Sequence, residues 1–394
     1  MRLVTLLRDD AENLAQIIHR EMGSTIEFSR SEQVGTPICI IEGYIDALTD
    51  DEPEEWIGNS LIVREPVGVV GAITPWNYPL YQLVTKVVPA MAAGCTVVAK
   101  PPEIAPLSSY RFAELLDEAG VPPGVFNLVN GLGSVVGEAI VRHPDVDMVS
   151  FTGSTRAGRR VGAVAAETIK RVSLELGGKS ASIVLDGADL EQAVRATMGY
   201  CMAYSGQVCN AWTRLLVQGA ALETVEAVLQ DTAAEFNAAL GPLVSWGQYE
   251  QVQDLIQSGI DDGARIVLGG LGHPPGHSDG PYARPTVFAD VEPSMRVARE
   301  EVFGPVLVLL TYDDVDDAVR IANDSVYGLH GAVWARDTTE GIAVARRLRT
   351  GQVDVNGAEF NILAPFGGYK QSGNGRELGR YGLEEFQEIK SIQV

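Results

Sequence analysis

Residues 7–22 carry apolar positions at helical spacing, which predicts a surface helix ending near Gly23. From Ser60 the texture changes, and Leu61-Ile62-Val63 and Val67 to Ile73 are β-rich runs around Glu65-Pro66, predicting a strand, a bend and a second strand. A regular alternation follows: helix over 80–93, strand 96–99, helix 108–119, strand 125–129, helix 135–141, strand 147–151 and helix 155–168. Strands separated by helices imply right-handed crossovers and a parallel sheet, the build of a nucleotide-binding domain.

After Gly178 the alternation restarts. A strand is expected over 181–185, a helix over 190–203, a strand over 214–217 and a helix over 222–236, with further strands near 265–268, 306–310, 332–334 and 353–355. The fold class is therefore α/β with two parallel-sheet units. Asp50 to Glu55 reads as a solvated acidic loop.

The chain has 394 residues, too many for one ordinary core. Its 46% hydrophobic and 21% charged content is that of a soluble globular protein. No run reaches the roughly eighteen apolar residues of a membrane span. The opening Met1 to Leu7 runs into Asp9, Asp10 and Glu12, which does not fit a signal peptide. A net charge of −22 argues against nucleic acid or an anionic membrane as partner, so an anionic cofactor needs local donors. Cys39, Cys95, Cys201 and Cys209 show no metal or disulfide spacing, which fits a reducing cytoplasm, and no metal site is expected.

Cys209, in Ser205-Gly206-Gln207-Val208-Cys209-Asn210-Ala211, sits on a helix-to-strand loop, and Glu175 lies at the seam between the two halves. A thiol and a separately held carboxylate are the minimum equipment for covalent acyl chemistry ending in hydrolysis. An isolated cysteine is more often a buried small hydrophobe.

Other runs divide in the same way. Gly131-Leu132-Gly133-Ser134-Val135-Val136-Gly137 is similar to a dinucleotide fingerprint with one residue too many, and a tight turn explains it equally. Phe151-Thr152-Gly153-Ser154 opens a helix whose free N–H groups attract phosphate, and Ser154 is equally an ordinary N-cap. Asn77, in Thr74-Pro75-Trp76-Asn77-Tyr78-Pro79, can donate to an oxyanion or satisfy a turn. Lys100-Pro101-Pro102-Glu103 follows a strand, where a carboxylate can accept from both ribose hydroxyls of NAD and would repel a 2′-phosphate, but on this run alone a solvated lysine and glutamate on a loop is the favoured reading.

Together with Leu174-Glu175-Leu176-Gly177-Gly178-Lys179, Glu301-Val302-Phe303-Gly304-Pro305 and Pro365-Phe366-Gly367-Gly368, these runs resemble the NAD(P)-dependent aldehyde dehydrogenase superfamily, in its order and over nearly the whole chain. The resemblance implies two Rossmann-like domains: NAD-binding over 1–57 and 71–177, catalytic over 178–371, with oligomerisation strands at 58–70 and 386–394 in a homodimer or homotetramer. It implies that Cys209 attacks an aldehyde and that Asn77 and the Cys209 backbone N–H hold the oxyanion. It further implies that Glu175 activates the water that cleaves the thioester and that Glu377 relays protons. The retained Glu175 favours a free-acid product over acyl transfer to coenzyme A.

For NAD the resemblance implies Ile73, Thr74, Pro75, Trp76, Lys100, Glu103, Gly133, Gly137, Phe151, Gly153, Ser154, Leu176, Gly177, Glu301 and Phe303. It implies a substrate tunnel of Tyr78, Tyr81, Thr85, Val208, Asn210 and Phe366, whose aromatic walls suit an unphosphorylated aldehyde.

Three departures qualify this reading. Relatives carry a longer segment before the equivalent of Met1, so an exposed sheet edge or a misplaced start is expected. A loop between Phe236 and Gly241 is shorter than usual. Tyr204 stands where the family prefers Asn, and its bulk predicts a displaced Cys209 loop. The alternative function is a truncated, redox-silent relative kept as a binding or oligomer-forming subunit.

Overall fold

The computed structural model describes residues 1–49, 54–238 and 241–394, the side chains of 233–238 excepted. It divides into two compact units: Met1–Glu175 with Asn361–Gly367 and Gly373–Val394, and Leu176–Phe360 with Gly368–Ser372.

The first unit holds a six-stranded sheet in the order Gly373–Asn374, Arg171–Glu175, Met148–Thr152, Val69–Ile73, Thr96–Lys100, Phe126–Leu128. The last five run parallel, and only Gly373–Asn374 pairs antiparallel. Met148–Thr152 is buried at every position, as a strand covered on both faces must be. The crossovers include the helices Pro79–Ala92 and Leu107–Ala119. Pro79 starts the first of these, where its missing N–H costs nothing.

Arg171–Glu175 is a strand the hydropathy pattern does not announce. It is only partly buried and mixes polar with apolar residues, and its identity comes from pairing in register along Met148–Thr152. That pairing carries Glu175 to the strand's carboxyl end.

Other expectations shift for local reasons. The helix expected over 7–22 is two helices, Arg2–Asp9 and Ala11–Met22, because Asp10 leaves the helical region and its carboxylate accepts from Arg111 Nε at 2.9 Å. Gly23 ends the second with φ 68°. The helix expected from 135 starts with wide π-type turns at Gly133–Gly137 and becomes α-helical only over Glu138–Arg142.

The run at 60–73 serves two sheets. Ser60–Pro66 pairs antiparallel with Glu54–Ile57 and Gln387–Gln393, whereas Val69–Ile73 joins the parallel sheet. Gly68 makes the change at φ 118°, and a Cβ there would strike Asp147. Of the acidic stretch expected as a loop, residues 50–53 lie outside the described residues, and Glu54 and Glu55 begin a strand instead.

The second unit holds a seven-stranded sheet in the order Arg265–Leu268, Thr286–Ala289, Val306–Tyr312, Trp212–Gln218, Ser180–Val184, Gly331–Trp334, Asp354–Val355. Only its Arg265–Leu268 edge is antiparallel. Val308 and Leu310 enter one core cluster while Leu307 and Leu309 enter the other. Alternate side chains point to opposite faces, so a strand covered on both must be apolar throughout. Thr286–Ala289 and the helix Trp246–Asp261 were not expected; Ser245 caps that helix by accepting from Gln248 N at 3.1 Å.

Among the described residues no helix is long and apolar enough to cross a membrane, and no cluster could hold a metal ion.

Candidate active site

In the first unit, Glu175 is buried, and neither carboxylate oxygen has a hydrogen-bond partner among the described residues. Burial pushes its carboxyl well above the usual range and the Glu377 carboxylate pushes the same way, with Lys86 and Arg376 opposing. A general base needs such a raised value to exchange protons near neutrality. Gly367, at φ 156°, leaves room here, since an added Cβ would lie 2.8 Å from Glu175 Oε1.

Glu377 is buried against the Lys86 ammonium, which donates to its Oε1. Its backbone bridges to Phe366, N–H to O at 2.7 Å and O from N–H at 2.8 Å. The sequence reading passed over Lys86. Its one signal was being the only charged residue of the Pro79–Ala92 helix.

Asn77 is buried and its carbonyl accepts from Gln33 Nε2 at 2.8 Å, so a residue from the Ser29–Gly35 turns, also passed over, fixes its backbone. Ile73 closes its strand and the buried Thr74 leaves it, its N–H donating to Lys100 O at 3.2 Å; Pro75 and Trp76 continue the turn. Tyr78 meets Tyr81 edge to face at a centroid distance of 5.9 Å. Thr85 is buried, and its carbonyl accepts from Tyr44 Oη at 3.4 Å.

Lys100 Nζ donates to Pro101 O at 2.6 Å and to Glu103 Oε2 at 3.1 Å. Burial raises the Glu103 carboxyl, but bonds from its own backbone and from Lys100 outweigh this and hold it below the usual range. Ser154 is the N-cap of Thr155–Ala165, its Oγ accepting from Ala157 N at 3.3 Å, so the ordinary capping reading of that residue holds. The hydroxyl proton stays available to donate. Gly153 packs on the Phe151 ring, where a Cβ would come within 2.7 Å. Gly133 and Gly137 meet nothing closer than 3.8 Å, so neither glycine is demanded by packing within the chain.

In the second unit, the helix Leu190–Met202 stops where Tyr204 and Ser205 both adopt the left-handed region, at φ 50° and 56°. The Tyr204 carbonyl accepts from Gln207 N at 3.2 Å, and burial drives its phenol well above its ordinary value. Val208 O accepts from Ala211 N at 3.2 Å, closing a turn that carries the half-buried Cys209. Gly178 must be glycine, because a Cβ would lie 2.6 Å from Cys209 O. Asn210 Nδ2 donates to Tyr200 Oη at 2.9 Å.

Glu301 Oε1 accepts from Gly178 N at 3.0 Å, and a Cβ on Gly177 would collide with the same carboxylate. Burial raises its carboxyl to about 7, with the Gly178 bond and Lys179 opposing. Phe303 takes φ 52°. Leu176 and Gly177 are held by Ser372, also passed over: its carbonyl accepts from Leu176 N at 2.9 Å and its Oγ donates to Gly177 O at 2.7 Å.

Each unit presents groups of the kind a nucleotide ribose needs: in the first, Lys100 with Glu103 offers a cation and an ionised acceptor, and in the second, Glu301 offers a partly buried carboxyl acceptor.

A model of the aldehyde dehydrogenase family matches residues 1–392. A 3-succinoylsemialdehyde-pyridine dehydrogenase of Pseudomonas sp is 50% identical, over 97% of this chain and 82% of its own. A putative aldehyde dehydrogenase of Staphylococcus aureus is 43% identical over 99% and 84%. Among solved structures, a mutant aldehyde dehydrogenase C of Pseudomonas syringae, complexed with NAD+ and octanal, aligns with a TM-score of 0.97 at 48% identity, over 100% of this chain and 82% of that one. A betaine aldehyde dehydrogenase of Staphylococcus aureus with NAD+ aligns at 0.94 and 38%, over 99% and 80%.

Proposed function

The chain belongs to the aldehyde dehydrogenase family and is an NAD-dependent enzyme that oxidises an organic aldehyde to its carboxylic acid, and we propose that it does so through Cys209 as nucleophile and Glu175 as base. The observation that carries the base assignment is the buried, unpartnered Glu175 carboxyl, raised well above its ordinary value.

A free thiol with a pKa near 8.5 is only about 3% thiolate at pH 7, so the site must lower that value or remove the proton. The Cys209 thiolate attacks the aldehyde carbon. The side-chain N–H of Asn77 and the backbone N–H of Cys209 stabilise the oxyanion of the thiohemiacetal. NAD, when bound, supplies the two-electron acceptor that turns this adduct into a thioester. Glu175 then takes a proton from water, which cleaves the thioester and frees Cys209, and Glu377 with Lys86 carries the proton onward.

Glu301 would accept from the nicotinamide ribose, Phe303 pack beside it, and Lys100 with Glu103 hold the adenosine ribose. Ser154 would donate to the pyrophosphate, and the exposed Leu132 and Val135 beside Gly133 offer apolar surface to adenine. An ionised Glu103 favours NAD over NADP. Tyr78 and Tyr81, with Thr85, Val208, Asn210 and Phe366, support an aliphatic or aromatic aldehyde as substrate, in line with the octanal held by the Pseudomonas syringae relative.

A homo-oligomer is the reading of the small antiparallel sheet, where Trp56, Ile57 and Ile389 lie exposed at 60%, 59% and 73%. The cysteines, all free, suit the cytoplasm.

The test is NADH formation by the purified chain with NAD and a panel of aldehydes. Activity lost in Cys209→Ala is expected. A folded protein that binds NAD but makes no Cys209-dependent NADH from any aldehyde overturns the reading, and one that also fails to bind NAD in calorimetry returns the redox-silent alternative.

A further inference from the structure

Gln207 is fully buried within the second unit, and its amide is used at both ends. Its Oε1 accepts from Val244 N at 2.8 Å, while its Nε2 donates to Tyr204 O at 3.3 Å and to Pro242 O at 3.4 Å. The Val244 N–H can only donate, so it fixes which end of the amide is oxygen. A neutral amide is the one side chain of this length that offers an acceptor and two donors together. Next to it, Ser205 Oγ donates to Gly241 O at 2.7 Å. The loop carrying Cys209 is therefore tied to residues 241–244.

The same segment continues into the helix Trp246–Asp261, and there a second glutamine repeats the arrangement on another run. Gln248 Nε2 donates to Phe303 O at 3.0 Å and to Val302 O at 3.4 Å. Phe303 is a non-glycine residue at φ 52°, a conformation that needs outside support. Gly206 completes the contact from the loop side, since a Cβ there would strike the backbone of Gly304 and Pro305.

We infer that residues 241–248 form a bracket that sets the nucleophile loop through Gln207 and the ribose-holding run through Gln248, making these two glutamines positioning residues for the two halves of the reaction. This rests on the assignment of Cys209 as nucleophile and Glu301 with Phe303 as cofactor contacts.

The experiment compares the full-length chain with Gln207→Leu, Gln207→Glu and Gln248→Leu, reading kcat, the affinity for NAD, and the rate at which iodoacetamide alkylates Cys209. Gln207→Leu should lower kcat and shift the alkylation rate at least tenfold with NAD affinity within threefold of wild type. Gln207→Glu keeps the acceptor for Val244 N but turns an acceptor onto Tyr204 O and Pro242 O, so it should also lower kcat and shift the alkylation rate. Gln248→Leu should weaken NAD binding at least fivefold while alkylation without cofactor stays within twofold. A folded Gln207 variant with unchanged kcat and alkylation overturns the inference, as does a Gln248→Leu whose losses match those of Gln207→Leu. Should one leucine variant not fold, Gln207→Glu and Gln248→Glu decide by the same readings. Wild type without NADH formation would overturn the activity, and the alkylation rates would still decide the bracket.

Discussion

Lys86 and Glu377 form an ion pair sealed from solvent, with side chains only 1% and 5% exposed. Removing one partner of a buried pair typically costs about 3–5 kcal/mol, because the other charge is left uncompensated. Lys86→Met should therefore lower unfolding stability by about that amount. The double variant Lys86→Met with Glu377→Gln should recover most of it. Urea unfolding checks this, and a double variant no more stable than the single one refutes the pairing.

Glu175 fixes a pH dependence. As the proposed base, it accepts a proton from water only when ionised, so deacylation should speed up as pH rises above the ordinary carboxylate range toward its raised value. Over that same window the unfolded chain is ionised while the folded one keeps its proton, so this group's contribution to stability falls as pH rises. Glu175→Gln should lower steady-state turnover by about 10²–10⁴ yet preserve the first-turnover burst of NADH. Stopped-flow absorbance separates the two phases, and loss of the burst would count against the assignment.

Glu301 gives a second pH test. With its carboxyl raised to about 7, the ionised form that accepts hydrogen bonds from a ribose predominates only above that value. NAD affinity should rise between pH 6 and pH 8 by roughly tenfold, the worth of a hydrogen bond to a charged group. Glu301→Gln should bind more weakly at pH 8 and show a flat profile. Calorimetric titration at both pH values would expose a wild-type profile that is equally flat.

Lys179 is buried, and its Nζ has no hydrogen-bond partner among the described residues. Burial pushes its ammonium down to about 8 from 10.5, with Arg214 adding to the shift. Between those values the unfolded chain holds more protons, so this group's contribution to stability rises with pH across that window. Lys179→Met should stabilise the fold by about 1–4 kcal/mol at pH 7, with the gain shrinking toward pH 10. Thermal unfolding across that range checks it, and a destabilised variant at pH 7 sinks the argument.

The alternation of helices and strands, and the short runs around Cys209, Glu175 and Glu301, were legible because each is local. Period, turn residues and motif spacing act within a few neighbours. Val306–Tyr312 could be read as a strand because burial on both faces makes it apolar throughout. Arg171–Glu175 could not, because it is only partly buried and its strand character rests on pairing in register with Met148–Thr152 rather than on its own pattern.

The residues around the candidate chemistry were hidden for the same reason. Lys86, Gln33, Ser372 and Gln207 look alone like unremarkable polar positions, and their roles appear only when partners as distant as Glu377, Asn77, Gly177 and Val244 come beside them. The sequence by itself determined the α/β class and the family and supplied the candidate reacting residues, since those follow from local pattern and order. Tertiary structure alone decided which carboxyls are stripped of water, which cation compensates which anion and what holds the Cys209 loop. Desolvation and hydrogen-bond partnership depend on which distant residues the fold brings together, and no periodicity along the chain encodes them.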